Sequence, residues 1–589
     1  MKGQLPEFFD LTFVNLGVII FSFLVFKTHT GIIRYTSSYE IWRIFVAVSF
    51  ANILLALCVF YFHFNFPISF TGLLLNYTIL LIVLIAFRYT IVKLHSRLIV
   101  DSGEKLQRAV VFGTSPDSVS LARSIMSMRN RTFRLVGFMS YDYQIQQKRI
   151  MDLPVIILNG DLSRLLIGYE IDTLIFPDSK YISRNYDELI RRCLAMKIKV
   201  LISQSPQDIS DFNPNSTKIR NIQIEDLLGR DEIKINNSEI SAQTRGKVVL
   251  VTGAAGSIGS ELVRQLCKFS PKLLLLLDSA ETPLHDMQLE LEDKFKNIRF
   301  KVILGDVRDC ARVTYVFKKY KPQIIYHAAA YKHVPLMEEN PCEAISANVL
   351  GTKNIANHAV RYRAEKFVMI STDKAVNPSN VMGASKRIAE IYVQSLAKYL
   401  KNKDCDIQFI TTRFGNVLGS NGSVIPRFKQ QIEQGGPITV THPDITRYFM
   451  TIPEACRLVL EAGSMGENAE IYVFDMGDPV KIDDMARRMV QLAGFNPDKD
   501  FEIVYSGLRP GEKLYEELLS DSELTKPTKH EKIMVAAVRE YDFRLVNHKI
   551  VSMIESARNI NVSDTVHQMK DLVPEFISNN SEFEDFDKG

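Results

Sequence analysis

The chain has 589 residues, which is too long for one hydrophobic core, so we expect two or three folded units. Its formal net charge is only +4, and no basic tract with interleaved aromatic residues occurs, which argues against nucleic acid as a partner. The seven cysteines are scattered, without a CxxC pair or a cluster with histidine. We therefore expect a reducing compartment and no metal site.

Three stretches near the amino terminus lack charged residues: 11–26, 44–62 and 66–87. A helix needs about 20 apolar residues to cross the hydrocarbon of a bilayer, and the second and third stretches reach that length, while the first is shorter. We predict a transmembrane anchor of about three helices within residues 1–100, in contact with membrane lipid. The alternative, buried helices of a soluble protein, is disfavoured because none of the three has an amphipathic face.

Basic residues flank these stretches unevenly. The first connection and the segment after the third stretch are basic, whereas the second connection, residues 63–67, is not. The basic residues are Lys27, Arg34 and Arg43, then Arg88, Lys93 and Arg97. Because cytoplasmic loops collect Lys and Arg, we expect the amino terminus outside and the chain after Arg88 in the cytoplasm.

Residues 101–220 alternate short β-branched runs with helical patterns, which predicts a small parallel sheet. The predicted strands are 109–113, 133–139, 173–176 and 198–202, and the predicted helix is 118–128. The first turn, from Gly113 to Asp117, lacks the later glycines that let a pyrophosphate approach the backbone. We interpret this part as a degenerate Rossmann-like domain with a structural or regulatory role, with cofactor binding as the alternative. The polar residues 221–245 are typical of a linker.

A stronger nucleotide-binding signal follows. A buried strand at 248–251 runs into the turn TGAAGSIG at 252–259, and a helical pattern comes next. Gly253 permits the tight turn, Gly256 lets a pyrophosphate approach the backbone, and Gly259 allows close packing of helix on strand. The helix N-terminus then meets the phosphate charge. The pattern predicts a dinucleotide site.

The next predicted strand, 273–277, ends in Asp278. A carboxylate at this position can accept a hydrogen bond from the adenosine ribose 2′-hydroxyl and repels a 2′-phosphate. We therefore predict NAD, rather than NADP, as the cofactor.

The spacing TGxxGxxG resembles that of the extended short-chain dehydrogenase/reductase superfamily. Later stretches agree with that superfamily in order: GDVRD at 305–309, YHAAA at 326–330, Asn348, STDKA at 371–375 and MGASK at 382–386. The resemblance implies these cofactor-binding residues: Thr252, Gly253, Gly256, Ser257, Ile258, Gly259, Asp278, Asp306, Val307, Ala328, Ala329 and Lys386.

One departure from the superfamily pattern is informative. Met382 stands where ordinary members have the tyrosine of YxxxK, and a thioether cannot exchange a proton, which excludes a simple tyrosine-based oxidoreductase. In this the chain resembles the large, membrane-bound UDP-N-acetylglucosamine 4,6-dehydratases of polysaccharide biosynthesis. The resemblance covers nearly the whole chain, including IEDLLGR at 224–230 and LRPGEK at 508–513, although that family commonly has four spans.

The resemblance implies the fold and the reaction. The expected fold is α/β: transmembrane helices, the degenerate Rossmann-like domain, then an extended short-chain dehydrogenase/reductase Rossmann domain with a small C-terminal substrate-binding part within residues 246–540. The expected reaction is NAD-dependent 4,6-dehydration of a UDP-N-acetylhexosamine at the cytoplasmic face of a bacterial inner membrane. For residues 541–589 we expect one helix and a disordered acidic tail.

By the same resemblance, Thr372 helps to remove the O4 proton, Asp373 protonates the departing 6-hydroxyl and Lys374 takes the C5 proton. A lysine base needs a lowered pKa, and we expect burial beside Lys386 to lower the pKa of Lys374. Lys386 orients the nicotinamide ribose, and Met382 completes the catalytic set. The alternative for Asp373 and Lys374 is a structural ion pair.

The predicted substrate-binding residues lie mostly in the carboxy-terminal half. Arg447 and Arg509 are candidates for a guanidinium clamp on the diphosphate. The full predicted set is Lys332, Asn416, Ser423, Val424, Arg447, Arg509 and Glu512.

Two other functions remain open from the sequence. One is a UDP-sugar 4-epimerase, which would leave Asp373 and Lys374 without a task. The other is a non-catalytic membrane scaffold that binds NAD. Whether the chain forms a homo-oligomer is also open.

Overall fold

A computed structural model describes residues 5–28, 38–61, 70–98, 106–128, 132–158, 162–178, 181–182, 186–203, 219–223, 226, 233–401, 403, 405–517, 525–537 and 539–588. Contacts between residues divide the chain into two compact units, Met1–Leu106 and Gln107–Gly589. Each unit is built from its own elements.

The first unit is helical where it is described: α1 (Leu5–Val25), α2 (Ser38–Tyr61) and α3 (Phe70–Leu98). Among the described residues, the segment Thr71–Ile91 is long and apolar enough to cross a membrane, with a mean hydropathy of 1.9. The apolar parts of the other two helices, Thr12–Val25 and Trp42–Cys58, are shorter. One of the three predicted spans therefore meets the length requirement.

Parts of the predicted topology lie outside the described residues, namely Arg34 of the first connection and the second connection, 63–67. The motif IEDLLGR is also largely outside them, because of its seven residues only Asp226 is described.

The second unit begins with a seven-stranded sheet in the order β3-β4-β2-β1-β5-β6-β7. Strands β4, β2, β1, β5 and β6 are parallel, and β3 and β7 pair antiparallel at the edges. The elements are β1 (Gln107–Phe112), α4 (Pro116–Ser127), β2 (Phe133–Ser140), β3 (Arg149–Ile150), β4 (Leu153–Ile157), α5 (Leu162–Gly168), β5 (Thr173–Phe176), α6 (Asp187–Ala195), β6 (Lys199–Ser203) and β7 (Ile219–Asn221). Strands and a helix are present where the sequence predicts them.

The predicted linker, residues 221–245, contains helix α7 (Asn237–Thr244). Ile240 is buried against the second hydrophobic core, and Gln243 donates a hydrogen bond to the carbonyl of Ser464 at 2.6 Å. This part of the segment is therefore packed on the next domain, because one apolar side chain and one amide find buried partners there.

A nine-stranded sheet follows in the order β10-β9-β8-β11-β12-β13-β18-β22-β21. The first seven strands in that order are parallel, and β22 and β21 are antiparallel. They are β8 (Val248–Thr252), β9 (Leu273–Asp278), β10 (Phe300–Leu304), β11 (Ile324–His327), β12 (Lys366–Thr372), β13 (Gln408–Phe414), β18 (Glu470–Phe474), β21 (Thr525–Pro527) and β22 (Ile533–Ala536). Most of the central strand residues are buried, because helices cover both faces.

The helices of this domain are α8 (Ser257–Cys267), α9 (Glu281–Lys294), α10 (Cys310–Tyr320), α11 (Val334–Glu339), α12 (Pro341–Ala344), α13 (Gly351–Arg361), α14 (Val381–Lys401), α15 (Val424–Glu433), α16 (Ile452–Met465), α17 (Ile482–Leu492), α18 (Phe543–Arg558) and α19 (Val562–Leu572). A π-helical turn spans Ile345–Leu350, and 3₁₀ turns span Asp373–Ala375 and Glu582–Lys588. Three two-stranded sheets, β14-β17, β15-β20 and β16-β19, lie outside the large sheet. Their strands are β14 (Asn416–Val417), β15 (Ile438–Val440), β16 (Thr446–Arg447), β17 (Phe449–Met450), β19 (Val480–Lys481) and β20 (Ile503–Tyr505).

The expectation of one C-terminal helix and a disordered tail is wrong. Two helices, α18 and α19, pack on α14, and the acidic tail forms a 3₁₀ turn in which Phe583 is buried. Lys570 forms an ion pair with Asp587. The tail is ordered because its phenylalanines join the core and its acidic residues have specific partners. Composition alone does not reveal these contacts.

Substitution of Gly259 tests how closely α8 packs on the turn after β8. A Cβ at this position would lie 1.9 Å from the carbonyl oxygen of Gly253, where only glycine fits. We expect Gly259→Ala to destabilise the protein by about 1–3 kcal/mol, the usual cost of overpacking, and to lower its Tm in thermal unfolding of the purified full-length chain. Gly168→Ala is the control, because a Cβ there has no neighbour within 4 Å. Equal Tm values for both variants would contradict this account.

Candidate active site

The turn after β8 is shaped to hold a dinucleotide. Gly253 has a positive φ of 65°, and a Cβ on it would lie 2.7 Å from the backbone nitrogen of Ala329. Helix α8 starts at Ser257 without a side chain capping its N-terminus, so its first N–H groups are available to an anion. The residues of this turn therefore fit a pyrophosphate.

The carboxyl ends of the neighbouring strands meet at this turn. Asp278, at the end of β9, accepts hydrogen bonds from the N–H groups of Ala255 and Ala280, both at 2.9 Å. Asp306 and Val307 follow β10, and Ala328 and Ala329 follow β11, so all the predicted cofactor residues after strands lie along one edge of the sheet. Asp306 binds Arg308, which holds the pKa of this carboxyl below its usual value although burial acts in the opposite direction.

Thr372, Asp373 and Lys374 stand at the end of β12, on the same edge. The Thr372 hydroxyl donates to Asp373 Oδ1 at 2.7 Å, while Asp373 Oδ2 is buried with no hydrogen-bond partner among the described residues. Burial raises the pKa of Asp373 above its ordinary value, and Lys374 offsets this only in part. A carboxyl with a raised pKa and a free oxygen is suited to donate a proton.

Lys374 lies between two carboxylates. Its Nζ is 3.2 Å from Asp373 Oδ1 and 3.1 Å from Glu516 Oε1, and it also donates to Asn416 Oδ1 at 3.2 Å. Burial acts to lower the pKa of Lys374, but Asp373 and Glu516 outweigh burial and hold the pKa above its ordinary value. The expectation that burial beside Lys386 lowers this pKa is therefore wrong, because the nearest charges are negative.

The lysine whose pKa does fall is Lys386. Its Nζ donates to the carbonyl of Ile370 at 2.7 Å, and burial lowers its pKa to about 8, although Glu390 opposes the shift. Met382 lies one helical turn earlier on α14 and is buried in the main hydrophobic core. The intervening Gly383 lets α14 approach the catalytic turn, since a Cβ there would lie 2.1 Å from the carbonyl oxygen of Lys374.

A cavity of about 110 Å³ opens beside Lys374. It is lined by three of the predicted substrate residues, Arg447, Arg509 and Glu512. Asn416 adjoins this group through its hydrogen bond to Lys374. The residues of the predicted clamp therefore lie next to Lys374 at the end of β12.

The remaining predicted substrate residues do not line that cavity. Lys332 is buried enough to lower its pKa, and Ser423 and Val424 lie where α15 begins. The loop before α15 approaches the cofactor turn instead, where Asn421 N–H donates to Ser257 Oγ at 3.2 Å. A second cavity of about 440 Å³ borders this contact.

The two arginines of the clamp differ in their surroundings. Arg447 is buried and already committed, since it donates to Glu512 Oε1 at 3.1 Å and its Nε lies 3.4 Å from Glu516 Oε1. Arg509 is exposed on the loop that follows β20. Arg509 is therefore the more accessible of the two guanidinium groups for an incoming anion.

Sequence reasoning missed Glu516 and Glu390. The Glu516 side chain is 3 % exposed and binds both Lys374 and Arg447, and its position four residues after Glu512 in the same charged stretch was the only local signal. Glu390 lies below the site, where Arg413 donates to both of its oxygens at 2.8 and 2.7 Å. Both carboxylates pair with residues distant in sequence, which no motif reveals.

Glu516 offers a test of the charge state of the site. Replacing it in Glu516→Gln removes a negative charge 3.1 Å from Nζ, so we expect the pKa of Lys374 to fall. Competitive acetylation of the purified protein over a pH series, read by mass spectrometry, measures that pKa. Glu517→Gln is the matched control, because Glu517 binds Lys513 and Asn377 instead. An unchanged pKa in Glu516→Gln would contradict the assigned contacts.

Comparison with known proteins places this site in a family. A family model described as "Polysaccharide biosynthesis protein" matches residues 249–538. The chain is 41% identical over 454 residues to "Capsular polysaccharide biosynthesis protein CapD" of Staphylococcus aureus, which covers 76% of this chain and 74% of that protein.

Solved structures match about half of the chain. The X-ray structure of Pen from Bacillus thuringiensis is 30% identical, has a TM-score of 0.46 and covers 51% of this chain and 90% of its own. UDP-glucose 4-epimerase from Thermus thermophilus, solved in complex with NAD, is 24% identical, has a TM-score of 0.38 and covers 45% of this chain and 88% of its own. On the strength of the match to the capsular protein, the chain belongs to the polysaccharide biosynthesis protein family.

Proposed function

We propose that this protein catalyses the NAD-dependent 4,6-dehydration of a UDP-N-acetylhexosamine, with UDP-N-acetylglucosamine as the substrate, for the synthesis of surface polysaccharide or glycan. The observation that carries the proposal is the pair Asp373 and Lys374, an acid and an amine at a strand end beside the dinucleotide turn. Met382 occupies the tyrosine position, so these two groups supply the proton chemistry.

NAD bound at the glycine turn would supply the hydride chemistry, which is removal of a hydride from C4 of the sugar and its return to C6. The glycine turn with Gly253, Gly256 and Gly259 provides room and N–H groups for its pyrophosphate. Asp278 is placed to accept from the adenosine ribose. Lys386 reaches the carboxyl end of β12 and is the residue assigned to the nicotinamide ribose.

Asp373 acts as the acid for the leaving 6-hydroxyl. Paired with Lys374 it begins as a carboxylate, and Thr372 donates to its Oδ1, so the O4 proton can pass through Thr372 to Asp373 during oxidation at C4. Asp373 then delivers this proton to the leaving 6-hydroxyl, and its raised pKa makes it a readier proton acceptor than an ordinary carboxylate.

Lys374 acts as the base at C5, and the surrounding charges determine how it becomes one. In the free protein it is an ammonium held by Asp373 and Glu516. Asp373 and Glu516 both stabilise this ammonium, and although burial acts in the opposite direction, Lys374 and Arg447 hold the pKa of Glu516 below its usual value. Lys374 therefore takes the C5 proton only after it has released its own proton to water. The C5 proton returns to the sugar from Lys374 and the O4 proton leaves with the 6-hydroxyl as water, so the cycle consumes no external acid.

The UDP portion is bound on the carboxy-terminal side of the sheet. Arg509 is exposed at the cavity beside Lys374 and binds the diphosphate, while Arg447 orients Glu512 and Glu516 from the interior. Lys332, Asn416, Ser423 and Val424 complete the proposed substrate-binding set.

The N-terminal helices anchor the enzyme in the bacterial inner membrane, with the catalytic domain in the cytoplasm. The segment Thr71–Ile91 has the length and hydropathy of a span, and its side chains are not buried inside the protein. Arg88, Lys93 and Arg97 at its end favour the cytoplasmic side. Membrane lipid is then a partner of the first unit, and the Rossmann-like part after it carries a structural or regulatory role.

The reaction can be tested by product analysis. Purified full-length protein incubated with UDP-N-acetylglucosamine, without added NAD, is expected to yield a nucleotide sugar lighter by one water, because the hydride returns to the same sugar. Mass spectrometry and NMR identify the product. An isomer of unchanged mass would contradict dehydration and support a 4-epimerase, and an unchanged substrate would support a scaffold.

Asp373→Asn tests the proton relay. An amide can neither accept the O4 proton nor protonate the 6-hydroxyl, so we expect the rate of water loss to fall by about 10²–10⁴, the usual contribution of a general acid–base group. Oxidation at C4 should slow with it, so absorbance of reduced nicotinamide should not accumulate. Asp306→Asn, at the predicted cofactor site, is the comparison, because it should weaken NAD retention instead. Full dehydratase activity in Asp373→Asn would contradict the assigned role.

A further inference from the structure

The end of the chain lies against the active site. Residues 577–581, here named the bridge segment, follow α19 and run beside the turn that leads from Lys374 to α14. Ile577 N–H donates to the carbonyl of Pro378 at 3.1 Å, and Asn579 N–H donates to the carbonyl of Ser379 at 3.1 Å. One edge of the bridge segment is thus hydrogen-bonded to the catalytic turn.

The other edge of the bridge segment contacts the loop 508–513, here named the arginine loop. Gly511 N–H donates to the carbonyl of Asn579 at 2.8 Å, and the Asn580 side chain donates to the carbonyl of Leu508 at 2.8 Å. The bridge segment therefore joins the arginine loop to the catalytic turn through the polar groups of a few consecutive residues.

A buried carboxylate anchors this arrangement. Glu338 is 5 % exposed, and its Oε2 accepts from the Ser581 hydroxyl at 2.6 Å. Its Oε1 accepts from the N–H of Val381, the first residue of α14, also at 2.6 Å. Hydrogen bonds to a carboxylate are stronger than those between neutral groups, so Glu338 fixes the bridge segment to the start of the catalytic helix.

The arginine loop depends on such partners because its residues, 508–513, belong to no helix or strand. The carbonyl of Gly511 accepts from the side chains of Ser379 and Asn380, at 3.2 and 3.0 Å, and its N–H is held by the bridge segment. Backbone groups of a loop near the interior need such hydrogen bonds to keep one conformation.

We propose that the bridge segment positions the arginine loop, so that the C-terminal end of the chain sets the affinity of the site for the diphosphate of UDP. The proposal rests on the proposed function in that the arginine loop binds the nucleotide. A loop held in its bound conformation loses less entropy on binding, so loosening the bridge weakens binding without removing any group that touches the ligand.

The double variant Asn580→Ala/Ser581→Ala tests this. It removes the side-chain contacts to Leu508, to Glu338 and to the N–H of Phe583, and leaves Arg509 unchanged. Alanine is also disfavoured at the positive φ of 53° at position 580, which loosens the bridge segment further. Two hydrogen bonds of ordinary strength correspond to about a tenfold rise in the Kd of UDP, measured by calorimetry on the full-length protein.

The matched control is Ser552→Ala/Asn559→Ala, which changes the same residue types at exposed positions of α18 and just after it. Its Kd should equal that of the wild type. The NAD content of both double variants should also be unchanged, because no hydrogen bond among the described residues joins the glycine turn to the bridge segment. Restoring the hydroxyl as threonine, in Asn580→Ala/Ser581→Thr, should recover part of the affinity.

The outcomes separate the possibilities. An unchanged Kd in the bridge variant overturns the proposal, and so does a joint fall of UDP affinity, NAD content and Tm, which would indicate general unfolding. If the wild type binds UDP but releases no water from the substrate, the proposed reaction is contradicted and the proposal about the bridge segment is unaffected. A wild type that does not bind UDP contradicts the nucleotide ligand and overturns the bridge with it.

Discussion

Four charges of alternating sign lie together in the interior at the end of β12: Asp373, Lys374, Glu516 and Arg447. Each would cost several kcal/mol to bury alone, and the chain of contacts makes their burial tolerable. Because Lys374 has a carboxylate on either side, it is charged in the free protein. Asp373 shares Lys374 with Glu516, and burial keeps the pKa of Asp373 above its ordinary value. The roles proposed for Asp373 as acid and Lys374 as base rest on this arrangement.

The approach of α14 to that cluster is a second constraint. Gly383 leaves no room for a side chain against the carbonyl of Lys374, and Met382 and Lys386 are placed on either side of it. Beneath them, Arg413 and Arg387 neutralise the buried Glu390. Burial lowers the pKa of Lys386 to about 8, while Glu390 and its two arginines remain charged.

The C-terminal helices complete the same region. Phe543 of α18 packs on Tyr392 and Tyr399 of α14, at ring distances of 5.8 and 4.8 Å, and α19 leads into the bridge segment. Helix α14 is therefore buried along nearly its whole length. Composition alone favoured disorder at the acidic end, and the ordered turn shows that a few aromatic residues and paired acids are enough to prevent it.

The sequence by itself determined the parallel Rossmann sheets, the glycine turn, the strand end that carries Asp373 and Lys374, and the apolar helices at the amino terminus, because each depends on residues close together along the chain. Only the tertiary structure decided the charge of Lys374, the partners of Arg447 and the order of the C-terminal end. Those properties depend on Glu516 and other residues far away in sequence, and on a desolvation that the whole fold imposes on them.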